Sequence, residues 1–295
     1  MSRRIDAHLH LWDRTDGGYD WIAKGSALDA TFSAADARAE LDRAGIDAAV
    51  VVQADESARD TEFLLACARR YPWVAGVVGW LPIEHPAVSL AVLDALGVDD
   101  RLCGIRVATR DSFLERASVR DTLFHVAERG LAFDVPAVWP RHFDDVEALA
   151  DAVPELTIVL DHLGKPPLAD RSQAKRTAWR DALARLAMRP NVFAKVSGLR
   201  NTLPEGSSLT TAIARPAWDA ALETFGVSRL MYGGDWPITV AFDGYQPVFE
   251  TLASLAAELS DHEQNQFFGG TAEQVYSLSV IGAGPMTNTT EESKQ

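Results

Sequence analysis

Short apolar runs and amphipathic helical stripes alternate eight times along this chain, and few folds accommodate that order. The apolar runs end near His10, Gln53, Trp80, Val107, Val135, Asp161, Val196 and Tyr232. Between them lie stripes such as Ala34, Ala37, Leu41 and Ala44, or Val146, Leu149, Ala150 and Val153, at the spacing of a helix face. Ser33 and Asp36 form a capping-box pair at the first stripe, and Gly45 stops it. Strands buried on both faces are near-continuous apolar runs, as these are. Eight strand–helix units predict an α/β chain folded as one (β/α)8 TIM barrel. A doubly wound open sheet is the alternative. It calls for a phosphate-binding glycine loop after a strand, and neither G-x-G-x-x-G nor a P-loop occurs. A last helical stretch over residues 260–278 closes the barrel domain, which we place at 1–280. Residues 281–295, rich in Gly, Thr, Ser and charge, are expected to be a disordered tail.

The chain is acidic, with 28 Lys+Arg against 42 Asp+Glu and a net charge of -14. Such a surface repels phosphate backbones and anionic lipid, so nucleic-acid and membrane partners are not expected. No leader-like apolar stretch opens the sequence, no run is long enough to span a bilayer, and the two cysteines, Cys67 and Cys103, form no metal or disulfide pattern. These features fit the cytoplasm and inert, buried thiols.

In a TIM barrel the active site stands at the C-terminal ends of the strands. Those positions hold His8 and His10, Gln53, Trp80, Arg106, His162, Lys195 with Ser197, and Asp235. His8 and His10 are two residues apart, so a strand presents both imidazoles on one face. Three imidazoles and a carboxylate at one mouth can bind a metal or serve acid–base chemistry. Each has a plainer alternative. Asp235, in Gly-Gly-Asp-Trp-Pro, can be a turn residue, His162 a cap, Arg106 an ion-pair partner and Asp6 an orienting group. The pattern does not fix whether Lys195 points inward. His85, His125, His142 and His262 fall in helices or loops and read as non-catalytic.

The runs Asp6-Ala7-His8-Leu9-His10-Leu11-Trp12, Gly104-Ile105-Arg106, Asp161-His162-Leu163-Gly164-Lys165-Pro166, Lys195-Val196-Ser197-Gly198-Leu199 and Gly234-Asp235-Trp236-Pro237 resemble the amidohydrolase superfamily. Within it the chain resembles the sugar-lactonase branch, the fuconolactonase-like and pyrone-dicarboxylate-lactonase-like enzymes. The resemblance covers about residues 3 to 278. It implies a TIM barrel that hydrolyses a cyclic ester, taking a small-molecule lactone as its partner. It also implies either one divalent metal, zinc above others, on His8, His10, His162 and Asp235, or no metal at all. The chain departs from that branch at Val107, where His is common, and at Gly234, where Ser is common. The fifth strand, Ala132-Phe133-Asp134-Val135, lacks the His or Lys that metal-binding members use there, which disfavours a two-metal site. On this basis Asp235 is the expected general base, with His8, His10 and His162 polarising the carbonyl or holding the metal. Arg106, Lys165 and Gln53 are expected to bind substrate oxygens, and Trp12, Trp80 and Trp236, with Trp21, to wall the pocket. A zinc-dependent non-oxidative decarboxylase of an aromatic or muconic acid is the alternative enzyme. A barrel that has lost its chemistry and only binds is the non-enzymatic one.

Overall fold

The computed structural model describes residues 3–278, apart from 17, 97–98 and 110–112. The expected tail at 281–295 lies outside these described residues. Eight parallel strands pair in chain order in one sheet: β1 (Ile5–Leu9), β2 (Ala48–Val52), β3 (Val74–Gly79), β4 (Leu102–Arg106), β5 (Ala132–Val135), β6 (Ile158–Leu160), β7 (Val192–Val196) and β8 (Leu230–Tyr232). The intervening helices are α1 (Ala34–Ala44), α2 (Ala58–Arg70), α3 (Pro86–Leu96), α4 (Ala117–Glu128), α5 (Phe143–Ala152), α6 (Gln173–Ala187), α7 (Thr211–Phe225) and α8 (Tyr245–Ala256). The TIM barrel is therefore present as expected.

Alternation along the strands sorts the core into two layers. Side chains such as Val51, Val77, Ile105, Phe133, Leu160, Ala194 and Leu230 pack outward on the helices. Their neighbours Val50, Val78, Ala132, Val159, Phe193 and Met231 fill the barrel, and Cys103 joins them at the register shift in the β3–β4 pairing. Helix ends follow the sequence signals: Ser33 and Asp36 form the capping box of α1, and Gly45 ends it in the left-handed conformation.

Two boundaries differ from the sequence expectation. The sixth run stops at Leu160, because His162 and Leu163 turn to φ of 57° and 50° and start a tight turn. The eighth run, Arg229-Leu230-Met231-Tyr232 in the sequence, forms a strand only from Leu230, since Arg229 belongs to a short 3-10 turn. The final stretch is helical as expected, but not uniformly so: α9 (Asp261–Asn265) runs into α10 (Thr271–Val275) through a π-helical turn at Gln266–Gly270, with right-handed helical backbone at both junctions. There Gly269 presses against the chain entering β1; a Cβ on it would sit 2.1 Å from the Arg3 carbonyl oxygen. This segment sends Ala272, Val275, Tyr276 and Leu278 into the interior cluster, closing the end where the strands begin. No helix among the described residues is long and apolar enough to cross a membrane.

Candidate active site

The barrel closes where β1 meets the chain leaving β8. His10 N donates to Trp236 O at 2.7 Å, and Asp235 N donates to His8 O at 2.8 Å. The seam that shuts the cylinder thus brings the His pair of β1 against Asp235. A register shift lies between Asp6 and Leu9 in the β1–β2 pairing. Asp6 consequently does not join His8 in the barrel. Its carboxylate accepts from the backbone N–H of His8 and of Gly234, both at 2.9 Å, and from Tyr245 OH on α8 at 2.8 Å. Burial pushes this carboxyl up to about 6, against those three donors. Asp6 acts as an orienting group: it ties the His strand to the turn that presents Asp235.

His10 Nδ1 lies 2.8 Å from the Val52 carbonyl. A carbonyl only accepts, so Nδ1 carries the proton and Nε2 keeps a free lone pair. That Nε2 is 3.1 Å from His8 Nε2. Asp235 Oδ1 stands 3.7 Å from His8 Nε2 and 3.6 Å from His10 Nε2, while Asn201 Nδ2 donates to Oδ2 at 2.7 Å. Asp235 itself adopts φ of 56°. His162 Nδ1 is 2.8 Å from Ser197 Oγ. Ligand atoms of His8, His10 and Asp235 lie within 4.8 Å of one another, and so do those of His8, Asp161 and His162. The four residues expected to act as one set therefore divide between two trios that share His8.

Burial opposes ionisation of Asp235, but the imidazoles of His162, His10 and His8 outweigh it and hold the carboxyl well below its ordinary range. Burial, helped by the Lys195 charge, drives His8 well below the usual imidazole value although Asp161 opposes it. His162 is lowered by burial as well, with Arg106 and Lys165 adding to the effect. Near neutral pH the site thus pairs an ionised carboxylate with uncharged imidazoles at His8 and His162.

A cavity of about 350 Å³ opens onto these groups, lined by His10, Trp21, Ala54, Arg106, His162, Lys165, Asn201, Asp235 and Ile238. Trp21, Ala54 and Arg106 also border a second cavity of about 490 Å³, where Gln53, Asp55 and Glu56 lie. Arg106 is an ion-pair residue too: its Nε donates to Asp161 Oδ2 at 2.9 Å. Gln53 Nε2 donates to the Arg106 carbonyl at 3.2 Å and Arg106 Nη1 to the Gln53 carbonyl at 3.3 Å, so the two hold each other in place.

The expected aromatic walls are corrected in part. Trp12 is wholly buried, donates to the Ala30 carbonyl, and packs on Tyr19, Trp21 and Phe32. Trp236 is buried edge-on against Phe32. Trp80 lines a separate cavity beside Leu81, Val107 and Phe113. Of the four tryptophans only Trp21 lines the cavity beside Asp235, with its indole N–H on the Ala54 carbonyl. Asn201 was not singled out in the sequence, nor were Asp134 and Asp161. The available signal was a charge inside an apolar run, as at Asp134, Asp161 and Lys195, each of which the structure buries completely.

The amidohydrolase family model matches residues 5–278. The chain belongs to the amidohydrolase family. Within it the similarity runs to the lactonase branch. An L-fucono-1,5-lactonase of Burkholderia multivorans is 35% identical over 290 residues, 93% of this chain and 96% of that protein. One from Burkholderia ambifaria is 34% identical, over 81% of this chain and 82% of that protein. The solved structure of an amidohydrolase from Burkholderia multivorans with bound zinc superposes at a TM-score of 0.87, with 31% identity over 94% of this chain and 100% of that one.

Proposed function

We propose that the protein opens a sugar lactone, a small cyclic ester, by attack of water, with Asp235 moving the proton. It is a hydrolase of the lactonase type, acting on a carboxylic ester bond. The observation that carries this reading is the meeting of the ionised Asp235 with His10 and His162 at one cavity, with His8 buried behind them against Asp235. The named lactonase relatives support the bond type and the ring.

Whether the residues fit a metal can be tested on their atoms. Ligands of a tetrahedral zinc at about 2.0–2.1 Å stand roughly 3.3 Å from each other. The separations among His8 Nε2, His10 Nε2 and Asp235 Oδ1 are 3.1, 3.7 and 3.6 Å. The proton on His10 Nδ1, held by Val52 O, leaves Nε2 free as a ligand. The trio fits one divalent ion, with zinc favoured by the zinc-bound relative. When bound, such an ion supplies Lewis-acid polarisation of the carbonyl.

The chain's own groups do the rest. Asp235 takes a proton from water as the oxygen bonds to the carbonyl carbon, and Asn201, donating to Oδ2, fixes the orientation of the carboxylate. The bond to the ring oxygen then breaks, and Asp235 returns its proton to the departing alkoxide. One water is added and a hydroxy acid leaves. His162, with Nδ1 occupied by Ser197, keeps Nε2 for the substrate. Arg106 and Lys165 bind substrate oxygens from the cavity wall, and Trp21 supplies an apolar face. A panel of aldonic lactones with a pH-indicator readout tests the reading. Turnover above spontaneous opening is expected for a sugar lactone, and a flat response across the panel would remove it.

A further inference from the structure

Lys195 is a cation that the reaction above does not use. It stands on β7 and is wholly buried, as are its carboxylate neighbours Asp134 and Asp161. Its Nζ lies 2.5 Å from Asp134 Oδ2, 3.2 Å from Asp161 Oδ1 and 3.1 Å from His8 Nδ1. Tyr276 completes the surroundings, with its OH donating to Asp134 and its ring 5.5 Å from Nζ. Of the two trios able to hold a metal, one (His8, His10, Asp235) borders the cavity. The other (His8, Asp161, His162) shares with Lys195 the atoms Asp161 Oδ1 and His8 Nδ1, which are 3.2 Å apart. Asp161 Oδ1 is fully buried and makes no hydrogen bond of good geometry. The groups within reach of it are Lys195 Nζ and His8 Nδ1, each at 3.2 Å.

We propose that Lys195 is a built-in cation standing where a second metal ion would otherwise bind, so that the barrel takes no more than one divalent ion. The charges agree. Asp134 and Asp161 bring two negative charges into the dry barrel, and Lys195 with Arg106 brings two positive ones. A buried charge left unpaired is strongly unfavourable. Removing the ammonium leaves two carboxylates with Arg106 as their one remaining cation, one net negative charge beside an imidazole nitrogen, the donor set of a divalent cation. The inference rests on the one-ion part of the function proposed above, and ion counting separates it from lactone turnover.

The test is zinc per chain at pH 8, after stripping and dialysis against excess zinc, for the wild type and for Lys195→Ala and Lys195→Gln, with circular dichroism to confirm folding. The wild type is expected to hold at most one ion and each folded variant one more. Lys195→Ala/Asp161→Asn is expected to return to the wild-type count. Two ions in the wild type overturn the proposal, whether or not the variants fold. So does an unchanged count in a folded variant, or an extra ion that survives loss of Asp161. A rise from none to one upholds the role of Lys195 while removing the one-ion part of the function.

Discussion

At the scale of single residues, the account makes Asp235 and its holder Asn201 separable. Asp235→Asn is expected to lower kcat by roughly 10²–10⁴-fold, the usual contribution of a positioned acid–base group, with the protein still folded. Lactone turnover near the wild-type rate in that variant would show that the proton moves elsewhere. Asn201→Ala leaves the carboxylate but frees its second oxygen. A hydrogen bond to a charged group is worth about 1.5–3 kcal/mol, so kcat should fall about tenfold or more while KM changes little. A variant altered only in KM would place Asn201 with the substrate instead. His8, His10 and Asp235 were legible because spacing and position at run ends are sequence properties. The outward turn of Asp6 was not, since the register shift in β1 breaks the alternation on which such inference depends. Lys195 stands on β7, Asp134 on β5 and Asp161 just past the end of β6, and only closure of the sheet shows that they meet.

At the scale of elements, two contacts outside the cavity govern the site. Gly234 lies where the turn after β8 crosses α8: a Cβ there would sit 2.1 Å from the Tyr245 ring and 2.6 Å from Asp6 Oδ2. Gly234→Ala is expected to lower stability by about 1–3 kcal/mol through overpacking, read from urea unfolding. An unchanged midpoint would mean that the turn relaxes freely. The second contact is Tyr276, which follows α10 and donates to Asp134 inside the barrel. Burial raises the Asp134 carboxyl to about 6, and Tyr276 and Lys195 pull it back by favouring the ionised form. Tyr276→Phe therefore raises this folded-state value further above the unfolded one. A raised carboxyl contributes its stability below the unfolded value and loses it as pH climbs through the folded value. The penalty of Tyr276→Phe should thus be larger at pH 8 than at pH 5. An equal or reversed difference in unfolding free energy would contradict this assignment. The helices themselves were legible down to the Ser33 cap, because capping and periodicity are local. The π turn between α9 and α10 was not; it lies where Gly269 meets the distant backbone of Arg3.

At the scale of the molecule, closing the cylinder and assembling the site are one event, since the bonds joining β1 to the chain after β8 flank His8, His10 and Asp235. The eightfold alternation made the barrel readable from the sequence, and the strand ends made the site's location readable. The tryptophans were misplaced because loop conformation has no comparable period: Trp12 and Trp236 pack into the loop cluster, and only Trp21 reaches the cavity. The central claim, hydrolysis of a lactone through Asp235, is tested most directly by product mass. A sugar 1,5-lactone is incubated with the wild-type protein and, in parallel, with Asp235→Asn. The account predicts a product heavier by one water, formed by the wild type far faster than by the variant or by buffer. Equal rates in all three, or loss of carbon dioxide from an aromatic acid as the only reaction catalysed, would contradict it.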